Sequence, residues 1–136
     1  MTPSGDVERA HSSGQETLVE RIRFVTHRDQ RILLLDFTNC SAEDVATTAE
    51  RVPGVVTAEP VGSVLAVADF TGAEFNRDAV EEIKIATALD RPHIKRAAWV
   101  LSDNLPKTLY DSIGHFSARD FPVFDTRAAA MDYLVS

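Results

Sequence analysis

The tripeptide Asp-Phe-Thr occurs twice, at Asp36-Phe37-Thr38 and Asp69-Phe70-Thr71, 33 residues apart. Each copy closes a run of small or branched apolar residues, Ile32 to Leu35 in the first case and Val64 to Ala68 in the second. Each is followed by a segment with helical spacing. A period of about 33 residues fits one strand, one crossover helix and their loops, so the chain reads as a stack of βα units. Parallel strands cannot be joined by a tight turn, and the intervening helix is what lets successive strands point the same way.

The rest of the chain extends this frame. Residues 1–17 are polar and show no apolar period, and they read as a flexible lead-in to a single domain spanning 18–136. Leu18 to Thr26 alternates, with Leu18, Ile22 and Phe24 on one face and Arg21 and Arg23 on the other, as in a half-exposed strand. The polar break His27 to Gln30 predicts a hairpin into Arg31 to Phe37. Ser41, with Asp44 three residues on, predicts the start of a helix that Pro53-Gly54 should stop. Val55 to Gly62 then reads as a loop or short extended piece before the second interior strand, Val64 to Phe70. Asn76 or Asp78 should cap the next helix, whose apolar stripe reads Ala79, Val80, Ile83, Ala86 and Leu89. Ile94 to Leu101 is a third parallel strand, followed by a helix capped by Asp103 or Asn104. Phe121 to Phe124 is a short last strand, and Pro122, which cannot donate to a ladder, assigns it to an edge. Asp125 or Thr126 should cap a final helix with Ala130, Met131 and Leu134 on its inner face. The fold class is therefore α/β, with a mixed, mostly parallel five-stranded sheet and an N-terminal antiparallel hairpin strand.

Composition narrows the function. A net charge of −7 opposes binding to nucleic acid or to an anionic membrane. No stretch reaches the roughly 20 apolar residues of a membrane span. The single cysteine, Cys40, cannot form an internal disulfide, which fits a reducing, cytoplasmic setting.

The runs ILLLDFTN, SVLAVADFTGAEFN, PHIKRAAWVL and FSARDFPVFDTRAAAMDYL together resemble the bacterial SpoIIAA-like family. Its members are small domains related to the STAS domain and grouped with the SEC14 lipid-transfer domain. The resemblance covers about Val19 to Val135. It implies a βα superhelix with strands laid down in chain order. It also implies a non-catalytic STAS-like regulatory or protein-interaction module, or alternatively a SEC14-like binder of a small apolar ligand or lipid. In the anti-sigma-factor antagonists of the STAS group, a phosphorylated serine opens the helix after the second Asp-containing turn. Here Asn76, Arg77 and Asp78 stand at that helix start, and no hydroxyl is present to carry a phosphate.

Strand ends supply the candidate site. Asp36, Thr38, Asp69, Thr71, Ser102, Asp103, Asp125 and Thr126 fall at the carboxyl ends of the strands, the rim where α/β proteins bind ligands. Clustered carboxylates there could take a hard cation. The plainer account is that each Asp or Thr caps a helix or ties a turn, and it is favoured because every one precedes a helix start. Neither a catalytic residue, a metal site nor a cofactor is assigned. Lys107, Tyr110, His115 and Arg119 read as the solvated face of one helix. Cys40 beside a helix start could have a lowered pKa. Trp99, mid-strand, reads as core. Finally, the interior strands are apolar on both faces, while right-handed crossovers should put all helices on one side. The helix-free face then needs cover from a ligand, the chain itself or a second copy, and a homodimer is the expected answer.

Overall fold

The computed structural model describes residues 21–101 and 122–136. Strands β1 (Ile22–His27) and β2 (Gln30–Asp36) form the antiparallel hairpin, followed by α1 (Ala42–Val56), β3 (Val64–Asp69), α2 (Arg77–Asp90), a 3₁₀ turn (Arg91–His93), β4 (Ile94–Val100), β5 (Val123–Phe124) and α3 (Arg127–Leu134). The sheet has five strands in chain order, β1-β2-β3-β4-β5, antiparallel at the hairpin and parallel elsewhere. The expected fold class is what the chain adopts. The proline-led β5 pairs with β4 and forms the far edge. The lead-in 1–17, and the helix expected after Asp103, lie outside the described residues.

The strands sort into two faces by parity. Leu33, Leu35, Phe37, Ala66, Ala68, Phe70 and Trp99 meet the buried stripes of α1 and α2. Ile32, Leu34, Leu65, Val67, Ala98 and Val100 pack on the other side against Ala130 and Leu134 of α3. This corrects the expectation of a helix-free face: the chain covers it with its own C-terminal helix. The crossover rule fixes a helix only when another strand follows it. Among the described residues α3 is not a crossover between two strands, so the rule does not place it above the sheet with α1 and α2. Burying Leu134 alone, at 2% exposure, contributes about 1.5–3 kcal/mol to holding it there. The bare apolar face that motivated a homodimer is therefore gone.

Two further boundaries differ from expectation. Helix α1 runs through Pro53 to Val56 rather than stopping at Pro53-Gly54. The stripe Val45, Ala49, Val52, Val56 continues unbroken into the core, and Val56 is fully buried. That packing outweighs the backbone hydrogen bond lost at Pro53. The last turn is closed by Thr57, whose amide and hydroxyl both donate to the Pro53 carbonyl, at 2.9 and 2.6 Å. In α2 the inner stripe ends on Asp90, not Leu89: Asp90 is buried and Leu89 is 52% exposed. The spacing Ala79, Ile83, Ala86, Asp90 is the regular one for a single helix face.

Candidate functional site

The repeated tripeptide builds two copies of one turn. In each, the Asp carboxylate accepts from the amide and hydroxyl of the Thr two residues on. The distances are 3.1 and 2.5 Å for Asp36–Thr38, and 3.0 and 2.7 Å for Asp69–Thr71. These are Asx-type turns, in which the short side chain substitutes for a backbone partner. Asn39 and Gly72 occupy the next position in each copy, both left-handed, with φ of 57° and 73°. Asn and Gly tolerate that conformation best. The copies dock on each other: Asn39 N–H donates to Thr71 O at 2.9 Å, and Phe37 stacks on Phe70 with centroids 4.8 Å apart. Trp99 meets Phe70 edge-on at 5.0 Å and is core, as expected.

Asp36 and Asp69 are partners in the β2–β3 register, so two carboxylates stand side by side on the α3 face. Such a pair needs cations. Arg127, in the first turn of α3, donates its Nε to Asp69 at 2.9 Å and places Nη2 3.5 Å from Asp36. From β1, Arg23 reaches Asp36 at 3.5 Å. Just before β1, Arg21 donates to the carbonyls of Asp36 and Thr38, at 3.0 and 3.2 Å. Burial raises the pKa of Asp36, but the Thr38 hydrogen bonds, Arg127 and Arg23 together overcome it and hold the carboxyl below 3.8. The rim carboxylates are thus tied by their own turns and neutralised by arginines, and they latch α3 to the sheet. The latch continues along α3. His27 and Arg28 both contact Asp132, at 2.8 and 3.2 Å, and Arg96 donates to the carbonyls of Tyr133 and Ser136.

Of the other rim residues, Asp125 is exposed at the end of β5, while Ser102 and Asp103 lie outside the described residues, as do Lys107, Tyr110, His115 and Arg119. Thr126, not Asp125, caps α3 through the Ala129 amide at 3.2 Å. Asn76, not Asp78, caps α2 through the Ala79 amide at 2.8 Å. Ser41 caps α1 through Asp44 at 3.1 Å. Among the described residues no group of His, Cys, Asp and Glu side chains is arranged to hold a metal ion. The idea that Cys40 has a lowered pKa is overturned. The thiol is buried, and burial pushes it up to about 11 against the lowering influence of Arg21, so it is no thiolate at neutral pH.

Two concavities were not evident in the sequence. A groove of about 460 Å³ runs between α1 and α2 and is lined by Glu43, Glu50, Asp78, Glu81 and Glu82, with no basic side chain in its wall. Lys84 pairs with Glu81 at 3.5 Å from outside it. Helical spacing carries the signal: Glu43 and Glu50 are one heptad apart, and Asp78, Glu81 and Glu82 are i, i+3, i+4. The second concavity is beneath α2. Two small cavities of about 60 and 50 Å³ share Leu35, Ala68, Thr87, Asp90 and Trp99. Alanines make the room, because Ala66, Ala68 and Ala97 on the sheet face Ala86 on the helix. Asp90 Oδ1 is buried with no hydrogen-bond partner, and burial pushes its carboxyl up to about 7. No other group offsets that burial.

Together the five ordered strands, the paired Asx turns and the helix on each face define a SpoIIAA-like α/β fold. No protein-family model matches the chain, and no curated protein matches it. Among solved structures it is similar to the crystal structure of an uncharacterized protein from the DUF3478 family with a SpoIIAA-like fold, from Shewanella loihica PV-4. The TM-score is 0.62 at 16% identity, over 83% of this chain and 91% of that one. At that identity the likeness is one of fold. No helix among the described residues is long and apolar enough to cross a membrane.

Proposed function

We propose that this chain is a non-catalytic, STAS-like interaction module that docks a basic segment of a protein partner in the groove between α1 and α2. The observation that carries the reading is the groove itself, walled by five carboxylates from two helices with no basic residue among them. Neighbouring carboxylates on a rigid surface, with no cation in the wall between them, focus a negative potential, which steers and orients a cationic partner. The polar rim offers less, since Asp36 and Asp69 already have arginine and threonine partners. The groove wall includes Asn76, at the helix start where the anti-sigma-factor antagonists keep their serine. Its amide is occupied in capping α2, and recognition here would rest on fixed charge in place of a phosphate.

The test is fluorescence anisotropy with a labelled lysine-rich peptide. Affinity should fall steeply as salt rises from about 0.05 to 0.5 M, because the Debye length shrinks to a few ångströms. Glu50→Gln with Glu82→Gln should weaken binding by about tenfold or more, or ~1.4 kcal/mol. Asp29→Asn with Asp125→Asn makes the same change in net charge elsewhere on the surface, and it should have little effect. Equal losses in the two double variants would mean nonspecific attraction to an acidic protein and would overturn the reading.

A further inference from the structure

Asp90 is the one charged side chain on the buried stripe of α2, and its neighbours do nothing for it. It is 8% exposed, at the last residue of the helix, where the backbone carbonyls also repel negative charge. Of the residues lining the two cavities, Arg91 is the other charged one; it is exposed and makes no ion pair with Asp90. Thr87 spends its hydroxyl on the Ile83 carbonyl at 2.8 Å. From β2, β3 and β4 the cavity walls receive Leu35, alanines, Ile94 and Trp99, none of them able to neutralise a carboxylate. A buried carboxylate without a partner is costly, and a polar group of this kind is found satisfied in nearly all folded proteins.

The space beside it is apolar and small. An engineered apolar cavity of about 150 Å³ admits benzene, whereas pockets for drug-sized ligands run to about 300–1,000 Å³. Cavities of about 60 and 50 Å³ exclude an acyl chain and fit a body of a few carbon atoms. A neutral hydroxyl there would satisfy one lone pair and leave the charge. An ammonium group would satisfy both.

We propose that the alanine-lined space beneath α2 is a binding site for a small branched alkylamine, with its ammonium group paired to Asp90 and its hydrocarbon body against Ala68, Ala97 and Trp99. The site lies beneath α2 and is distinct from the acidic groove, so it stands or falls separately from the proposed function.

Trp99 is the sole tryptophan and lines both cavities, so its fluorescence reports occupancy directly. Isobutylamine is the probe and isobutanol its uncharged counterpart. Each is titrated from the micromolar into the millimolar range, since the per-atom ceiling allows five heavy atoms a dissociation constant no tighter than a few micromolar. At about pH 8.5, where Asp90 is ionised and an alkylamine is still protonated, isobutylamine should give a saturable change. It should bind about tenfold more weakly at about pH 5.5, where Asp90 keeps its proton, and isobutanol should be weaker than the amine at pH 8.5 by a similar factor. Asp90→Asn, with its fold checked by circular dichroism, should abolish the preference for amine over alcohol. If that variant does not fold, Ala97→Val, which fills the cavity and keeps the carboxyl, should weaken the amine instead. The proposal is overturned if the folded parent gives no saturable response, if the alcohol binds as well as the amine, or if Asp90→Asn or Ala97→Val binds the amine as the parent does.

Discussion

Replacing Arg127 by Met removes the guanidinium and keeps most of the apolar stem, so it isolates the charge. In the folded protein the change leaves Asp36 and Asp69 side by side, with side chains 17% and 6% exposed. Arg23 remains 3.5 Å from Asp36, but Asp69 loses its cation. Breaking a fully buried ion pair costs about 3–5 kcal/mol, and an exposed pair is worth about 0–1. Asp69 is buried but Arg127 is 34% exposed, so the expected cost lies between these limits, at about 2 kcal/mol. For a domain of this size that corresponds to a melting temperature lower by about 6–10 °C at pH 7. The pH dependence has a definite sign. Asp36 is held below its ordinary pKa of 3.8, so its contribution is present above 3.8 and is lost as pH falls through the folded value. In the variant Asp36 has lost one of the charges that lower it, so the deficit should hold above about pH 4 and narrow as pH falls below 3.8. Thermal melts followed by far-UV circular dichroism at several pH values measure both. A loss under about 2 °C at pH 7, or a deficit that does not change with pH, would contradict Arg127 as the charge partner of the strand-end pair.

Other perturbations report on the remaining features. Asp90 has a folded pKa of about 7 against 3.8, so its contribution to stability is fully present below 3.8 and is lost as pH rises through about 7, by up to about 4 kcal/mol. Asp90→Asn should therefore melt above the parent at pH 8 and lose that advantage near pH 4; an unchanged pH profile would refute an unpartnered carboxylate. Gly72→Ala should destabilise by about 1–2 kcal/mol in urea titration, since φ is 73° there and the new Cβ would lie 2.2 Å from Asn39 Oδ1; a neutral result would mean that the docked turns are not tightly coupled. Phe70→Ala should cost about 3–5 kcal/mol, because its ring touches Phe37, Phe75 and Trp99 and is 2% exposed.

The sheet was legible because its signals are local. Asp-Phe-Thr carries both the strand end and the turn, and Pro122 carries the edge. Asn39 and Gly72, one residue beyond each copy, sit where a left-handed turn residue is needed. Arg127 was harder to read. A cation in the first turn of a helix opposes the macrodipole, and its reason for being there lies on β2 and β3, far away in sequence. The placement of α3 followed from no sequence rule, since the crossover rule speaks only of helices that join two parallel strands, and α3 joins none among the described residues. Asp90 had a readable signal that was missed. It continues the Ala79, Ile83, Ala86 stripe, but an Asp before Arg-Pro at a helix end reads first as solvated. The groove depends on how α1 and α2 lie against each other, which helical spacing alone does not give.

The central claim, that the strand-end carboxylates serve the fold and the acidic groove serves recognition, is open to one direct measurement: amide-resolved NMR of the full chain, titrated with the lysine-rich peptide at low salt. Shifts confined to Glu43–Glu50 and Asn76–Glu82, with the amides of Asp36–Asn39 and Asp69–Gly72 unmoved, are the predicted result. Shifts centred on those two turns and Arg127, with the groove unmoved, would contradict it.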